Sequence, residues 1–184
     1  HPRLYDKEGQ LGINESGKFE QLQNMLEQVI AEKHRVLLFS QFVGMLDIIK
    51  VWLEQKGIKH EYLSGKTKDR QAAVENFNNN PNIPIFLISL KAGGTGLNLT
   101  GADYVIHYDP WWNVAAQNQA TDRAHRIGQQ KKVTVYKFIV KQSVEEKIQK
   151  LQEAKKDLAD KVINGETNQL SNMSQEELLE ILSC

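Results

Sequence analysis

Two arginines three positions apart, Arg123 and Arg126, close the segment Gln119-Ala120-Thr121-Asp122-Arg123-Ala124-His125-Arg126. On a helix that spacing puts both guanidinium groups on one face, so two planar forks can aim at a single target. Such a pair suits phosphoryl transfer, where charge spreads over the transferred group and an arginine can be worth about 10³ to 10⁵ in rate. The two residues alone also suit a solvated helix face with Asp122 as ion-pair partner. The glycine-rich segment upstream favours a ligand.

That segment is Ala92-Gly93-Gly94-Thr95-Gly96-Leu97-Asn98, directly after an apolar run ending at Ser89. In parallel α/β sheets ligands gather at the carboxyl ends of strands, where glycine lets the backbone approach closely and donate N–H groups. A dinucleotide fingerprint starting at Gly94 would need glycine where Leu99 stands, so that version is excluded. A tight turn and a ligand loop both remain open. Ser64-Gly65-Lys66-Thr67 imitates the end of a phosphate-binding P-loop, but His60 occupies the position of its first glycine. No acidic pair for magnesium follows a strand, so this chain lacks the parts that hold a triphosphate and its metal.

Asp109-Pro110-Trp111-Trp112-Asn113 sets two tryptophans beside a proline, fit for packing or for stacking on a base. Lys66, Lys68, Arg70, Lys91, Lys131 and Lys132 fall in loops where they could meet backbone phosphates or simply face solvent. His34, His60, His107 and His125 lack metal-ligand spacing, and the single cysteine, Cys184, is terminal; no structural metal is expected.

The elements that must position these residues follow from hydrophobic period. Phe19 to Ala31, Val43 to Gln55, Lys68 to Asn79 and Asn113 to His125 read as helices. Arg35 to Phe39, Ile58 to Leu63, Ile83 to Ser89, Tyr104 to His107 and Val133 to Val140 read as strands. Their alternation predicts an α/β lobe, residues 17–142, with a parallel sheet covered on both faces. Residues 1–16 precede it, and His1-Pro2-Arg3 reads as the start of an excised fragment, not a signal peptide. Beyond it, residues 143–184 form a brace helix, a linker and a docking helix. The brace opens on the capping box Ser143-Val144-Glu145-Glu146 and carries Val144, Ile148, Leu151, Leu158 and Val162 as a stripe; the docking helix opens on Ser174-Gln175-Glu176-Glu177.

Composition fits this reading. The 184 residues are 40% hydrophobic, enough for one core, and no run is long enough to span a membrane. Lys and Arg number 23, as do Asp and Glu, so any nucleic-acid contact must be local. One terminal cysteine excludes an internal disulfide framework and fits a reducing compartment.

Taken in order, Val36-Leu37-Leu38-Phe39-Ser40-Gln41-Phe42, Ser89 to Asn98, Asp109 to Asn113 and Gln119 to Gln129 resemble motifs of one family. They are similar to the C-terminal RecA-like lobe of Swi/Snf-type ATPases of helicase superfamily two, in a style closer to bacterial members. The most specific stretch is Asp122 to Gln129. Val114 stands where the family usually has proline, and Gln117-Asn118 where it is usually more acidic.

The resemblance implies a duplex-DNA translocase that hydrolyses ATP with Mg²⁺ held mainly by an N-terminal RecA-like lobe, the isolated chain being inactive. By that likeness Arg123, Arg126 and Gln119 serve catalysis, Gly94, Gly96 and Asn98 line the nucleotide side, and Ser40, Gln41, Ser89, Leu90 and Lys91 face DNA. Partners would be that N-terminal lobe, double-stranded DNA and a DNA-bound protein such as RNA polymerase or the nucleosome. The location implied is the cytoplasm of a bacterium, or the nucleus in a eukaryote. Two alternatives stay open: a catalytically silent lobe acting as a docking or regulatory module, and an RNA helicase lobe.

Overall fold

Five short runs become the strands β1 (Val36–Ser40), β2 (His60–Leu63), β3 (Ile85–Ser89), β4 (Tyr104–His107) and β5 (Thr134–Lys137). They form one parallel sheet in the order β2-β3-β1-β4-β5. The computed structural model describes residues 1–5, 16–92, 97–111, 113–124 and 131–163, with side chains throughout except at 116 and 157–163. Helices α1 (Gly17–Ala31), α2 (Val43–Gln55), α3 (Arg70–Asn79), α4 (Val114–Thr121) and α5 (Val144–Ile163) accompany the strands, with a short 3-10 turn at Pro2–Leu4.

The period of two along β1 explains the layering. Val36 and Leu38 join Phe19, Leu22 and Leu26 of α1 and Leu46, Ile49 and Trp52 of α2 in one core. Leu37 and Phe39 join Val74 and Phe77 of α3 and Ala120 of α4 in the other. A strand buried on both faces must be largely apolar, and all five residues of β1 are buried, Val36 to Phe39 being apolar. Each such Leu, Ile or Phe stabilises the fold by about 1.5 to 3 kcal/mol. This is the parallel α/β, RecA-like arrangement expected from the alternation.

Local signals set the helix ends. Ser16 Oγ accepts the Phe19 N–H at 3.3 Å, and Asp69 accepts the Ala72 N–H at 2.8 Å, each satisfying an otherwise orphaned donor. Helices α1 and α2 both finish in the same paired closure. In α2, Gly57 N–H reaches Glu54 C=O at 3.0 Å and Ile58 N–H reaches Leu53 C=O at 2.9 Å, with Gly57 left-handed at φ 67°. In α1, Lys33 N–H reaches Ile30 C=O at 2.9 Å and His34 N–H reaches Val29 C=O at 3.0 Å, but the left-handed residue is Lys33, φ 63°.

Several boundaries differ from the sequence expectation, among them those of β2, β5 and α4. β2 starts at His60 because Gly57 and Ile58 are used in closing α2. β5 ends at Lys137, where its partner β4 ends at His107. α4 stops at Thr121, and residues 122–124 form a turn instead of the helix expected to reach His125.

Two compact units divide the chain, His1–Phe138 and Ile139–Cys184. In the second, α5 begins at Val144 behind Ser143, as its capping residues predict. The geometry is shifted by one position: Ser143 Oγ accepts the Glu145 N–H at 3.1 Å, while Glu146 reaches back to the Gln142 N–H at 2.7 Å. Of the stripe, Ile148 is buried and Val144 is exposed. The Ser174 box, the linker and the docking helix lie outside the described residues.

Candidate functional site

Ser40 and Ser89 are register partners, so the residues that end β1 and β3 stand side by side at the carboxyl edge of the sheet. Leu90 N–H donates to Ser40 C=O at 3.0 Å, which holds the two strand exits together. Ser40, Gln41, Ser89, Leu90 and Lys91 are thereby brought to one place. Ser40 and Ser89 are buried, Gln41 and Leu90 are half-buried, and Lys91 is exposed.

Asp109 organises this edge, a role that its sequence context did not reveal. The carboxylate is buried; Oδ1 takes the Ser40 hydroxyl at 2.6 Å and Oδ2 takes the Gln41 N–H at 2.8 Å. Gln41 Nε2 donates to Pro110 C=O at 3.0 Å. The end of β4 therefore clamps the end of β1. Past the clamp, the Trp111 N–H reaches Gln117 Oε1 on α4 at 3.3 Å, and Gln117 is itself buried. Trp111 is half-buried, and Trp112 lies outside the described residues.

Helix α4 leads into the arginine turn. Gln119 is exposed on it. Asp122 N–H bonds Asn118 C=O at 2.8 Å and Ala124 N–H bonds Thr121 C=O at 3.0 Å, placing Arg123 in the turn itself. Arg123 is 2% exposed, so it does not belong to a solvated helix face. Its carbonyl accepts the Leu99 N–H at 3.2 Å. The structure thus joins the Arg123 turn to the segment containing Asn98. Asn78 of α3 fixes that segment from the other side, with Nδ2 on Asn98 C=O at 2.8 Å and Oδ1 taking the Gly101 N–H at 3.1 Å. Gly94, Gly96 and Arg126 lie outside the described residues.

Two electrostatic features frame the sheet. At its carboxyl end His107 is buried, stacked on Phe39 with centroids 5.4 Å apart, and bonded through Nε2 to Thr121 Oγ1 at 2.9 Å. Burial, with Lys137 adding to it, pushes its imidazole down to about 4. At the opposite end Asp103 accepts from Arg35 N–H and meets His34 Nδ1, both at 2.8 Å, with Lys131 Nζ at 3.4 Å. Burial would raise this carboxyl, but Arg35, His34 and Lys131 together hold it below the usual range. Lys131 is thereby engaged with an acid of its own chain.

The imitation P-loop closes on itself. Thr67 N–H bonds Ser64 C=O at 3.1 Å, Lys66 N–H bonds Ser64 Oγ at 3.3 Å, and Ser64 N–H bonds Thr67 Oγ1 at 2.9 Å. Amides spent inside the turn cannot cradle a phosphate. Among the described residues no three His, Cys, Asp or Glu side chains could hold a metal ion, and no helix is long and apolar enough to cross a membrane.

The sheet order is that of a parallel α/β, RecA-like lobe whose carboxyl edge carries the Asp109 clamp. Residues 17–128 match the helicase conserved C-terminal domain. The chain is similar in structure to the Sulfolobus solfataricus SWI2/SNF2 ATPase C-terminal domain, with TM-score 0.69 and 32% identity, covering 98% of this chain and 74% of that one. It is likewise similar to the C-terminal part of the Fun30 ATPase domain, with TM-score 0.72 and 40% identity over 75% of this chain and 45% of the other. The chain belongs to the helicase C-terminal domain family, as the C-terminal lobe of a SWI2/SNF2-type ATPase.

Among curated relatives, the putative ATP-dependent helicase/translocase YwqA of Bacillus subtilis is 42% identical over all of this chain and 20% of its own length. The chromatin-remodeling ATPase INO80 of Emericella nidulans is 43% identical over 83% of this chain and 10% of its own. The chain spans a fifth or less of these relatives.

Proposed function

We propose that this lobe serves an ATP-hydrolysing translocase of duplex DNA, turning Arg126 and Arg123 toward the phosphates of an ATP whose Mg²⁺ and main binding loop belong to an N-terminal RecA-like lobe. The observation that carries the reading is the bond from Leu99 N–H to Arg123 C=O, at 3.2 Å. It links two segments far apart in sequence, the one that contains Asn98 and Leu99 and the turn that contains Arg123. A cation pair beside a backbone that can approach closely suits a developing phosphoryl charge. Arg123 is buried in this conformation, so the reading gives Arg126 the direct phosphate contact and Arg123 the support of the turn until the lobes close.

At the carboxyl edge, Ser40 and Gln41 N–H are committed to Asp109, and Ser89 is buried. The exposed Lys91 then meets a DNA phosphate, while the two serines and Gln41 shape the edge. The motor would work where its DNA is, in bacterial cytoplasm or a eukaryotic nucleus.

The test is Arg126→Ala in the full-length protein, with nucleotide binding and hydrolysis measured separately. Binding is expected to persist while hydrolysis is lost; equal loss of both marks a structural arginine and overturns the reading. Stimulation by duplex DNA and not by RNA is the matching expectation for the substrate.

A further inference from the structure

The arginine turn begins at Thr121, and Thr121 is fastened to the sheet by one side chain. Its hydroxyl donates to Gln117 C=O at 3.3 Å, so its single proton is spent within α4. Oγ1 then accepts from His107 Nε2, 2.9 Å away, which assigns a proton to Nε2. The remaining nitrogen agrees: His107 Nδ1 is buried without a hydrogen-bond partner, which a bare lone pair tolerates better than a bare N–H. Stacking on Phe39 holds the ring plane. Thr121 also lends its carbonyl to Ala124 N–H at 3.0 Å, closing the turn around Arg123.

We infer that His107 is a positioning residue for ATP hydrolysis, setting through Thr121 the direction in which the turn sends Arg123 and the following Arg126. The inference rests on the proposed role of those arginines. His107 touches no substrate; its work is to tie the last residue of α4 to the last residue of β4, so that the turn starts from a fixed point. Misplacing a catalytic cation by about 1 Å can cost up to two orders of magnitude in rate without weakening binding.

The test uses the full-length protein and four variants. His107→Phe keeps the stack on Phe39 and removes the donor; Thr121→Val removes the acceptor at constant shape; Thr121→Ser keeps it. His107→Phe and Thr121→Val should each lower kcat on the order of 10-fold or more, with KM for ATP little changed, and the double variant should be no slower than the slower single. Thr121→Ser should retain the parent rate. Full activity in Thr121→Val, a Thr121→Ser as slow as Thr121→Val, or losses that multiply in the double variant would each overturn the inference. Arg126→Ala, run in parallel, separates the two claims. If it is inactive while Thr121→Val is fully active, the positioning role alone fails; if it hydrolyses ATP normally, the arginine reading fails and takes this one with it.

Discussion

The Ser40 hydroxyl donates to Asp109 Oδ1 at 2.6 Å, across 69 positions of sequence and with both residues buried. The other carboxylate oxygen holds the Gln41 N–H, so one side chain satisfies two donors just where β1 ends. Asp109→Ala would strand both donors in a buried edge and is expected to cost about 2 to 4 kcal/mol of unfolding free energy. Ser40→Ala leaves the Gln41 bond in place and should cost about 1 to 2 kcal/mol. Urea unfolding of both variants checks the order; equal costs would mean that the Gln41 bond contributes nothing.

His107 predicts a pH dependence. Its folded-state value of about 4 lies below the ordinary 6.5, so as pH falls the unfolded chain takes up a proton that the folded chain refuses. Stability is complete above about pH 6.5 and declines as pH drops toward 4, by up to on the order of 3 kcal/mol. Asp103, held below the usual carboxylate range, adds its own loss only at lower pH. Unfolding measured at pH 7 and pH 5 should show the drop, and His107→Phe should flatten it.

Lys33 and Gly57 close two helices in the same way, but only one of them is a glycine. A side chain at left-handed φ costs about 1 to 2 kcal/mol. Lys33→Gly should raise the thermal midpoint, the gain being offset in part by the freer unfolded chain, and Gly57→Ala should lower it.

Gly101 and Gly65 make a second contrast. A Cβ at Gly101 would stand 2.7 Å from Arg35 Nη1, 3.0 Å from Asn78 Oδ1 and 3.2 Å from Asn78 Cα, whereas at Gly65 it would meet nothing within 4 Å. Arg35 is held by its stack over Phe77 and by the carbonyls of Ile83, Phe77 and Asn80, so it cannot simply swing away. Gly101→Ala is expected to destabilise by about 1 to 3 kcal/mol, as overpacking does, with Gly65→Ala near neutral. Chemical denaturation of the pair reads the difference.

The isolated chain should show no appreciable ATPase activity with or without duplex DNA. Sustained turnover by the purified 184-residue chain would contradict a site divided between two lobes.

Much of this architecture was open to sequence reasoning because the cores depend on period alone. Leu37 and Leu38 go to opposite cores by simple alternation, and the bounds of β4 and α2 coincide with those expected. The end of α4 was hidden, because Thr121 and Asp122 carry no glycine or proline to mark a stop, and the turn is held by distant groups, His107 and Leu99. Asp109 was overlooked beside its tryptophans, since its partners, Ser40 and Gln41, are remote in sequence. His107, weighed only as a metal ligand, has its role through Thr121. For Asp109 a cue was present: a charged residue just past an apolar strand needs a partner.

The place of β1 in the sheet has a consequence for how the chain is made. Of the five strands it is made first, yet both its neighbours, β3 and β4, are encoded later, and its clamp arrives only with Asp109. Until β3 and β4 are made, this largely apolar strand has no sheet on either side. Nascent chains stalled before residue 109 should therefore remain protease-sensitive and dependent on chaperones, and the lobe should acquire resistance late and in a single step.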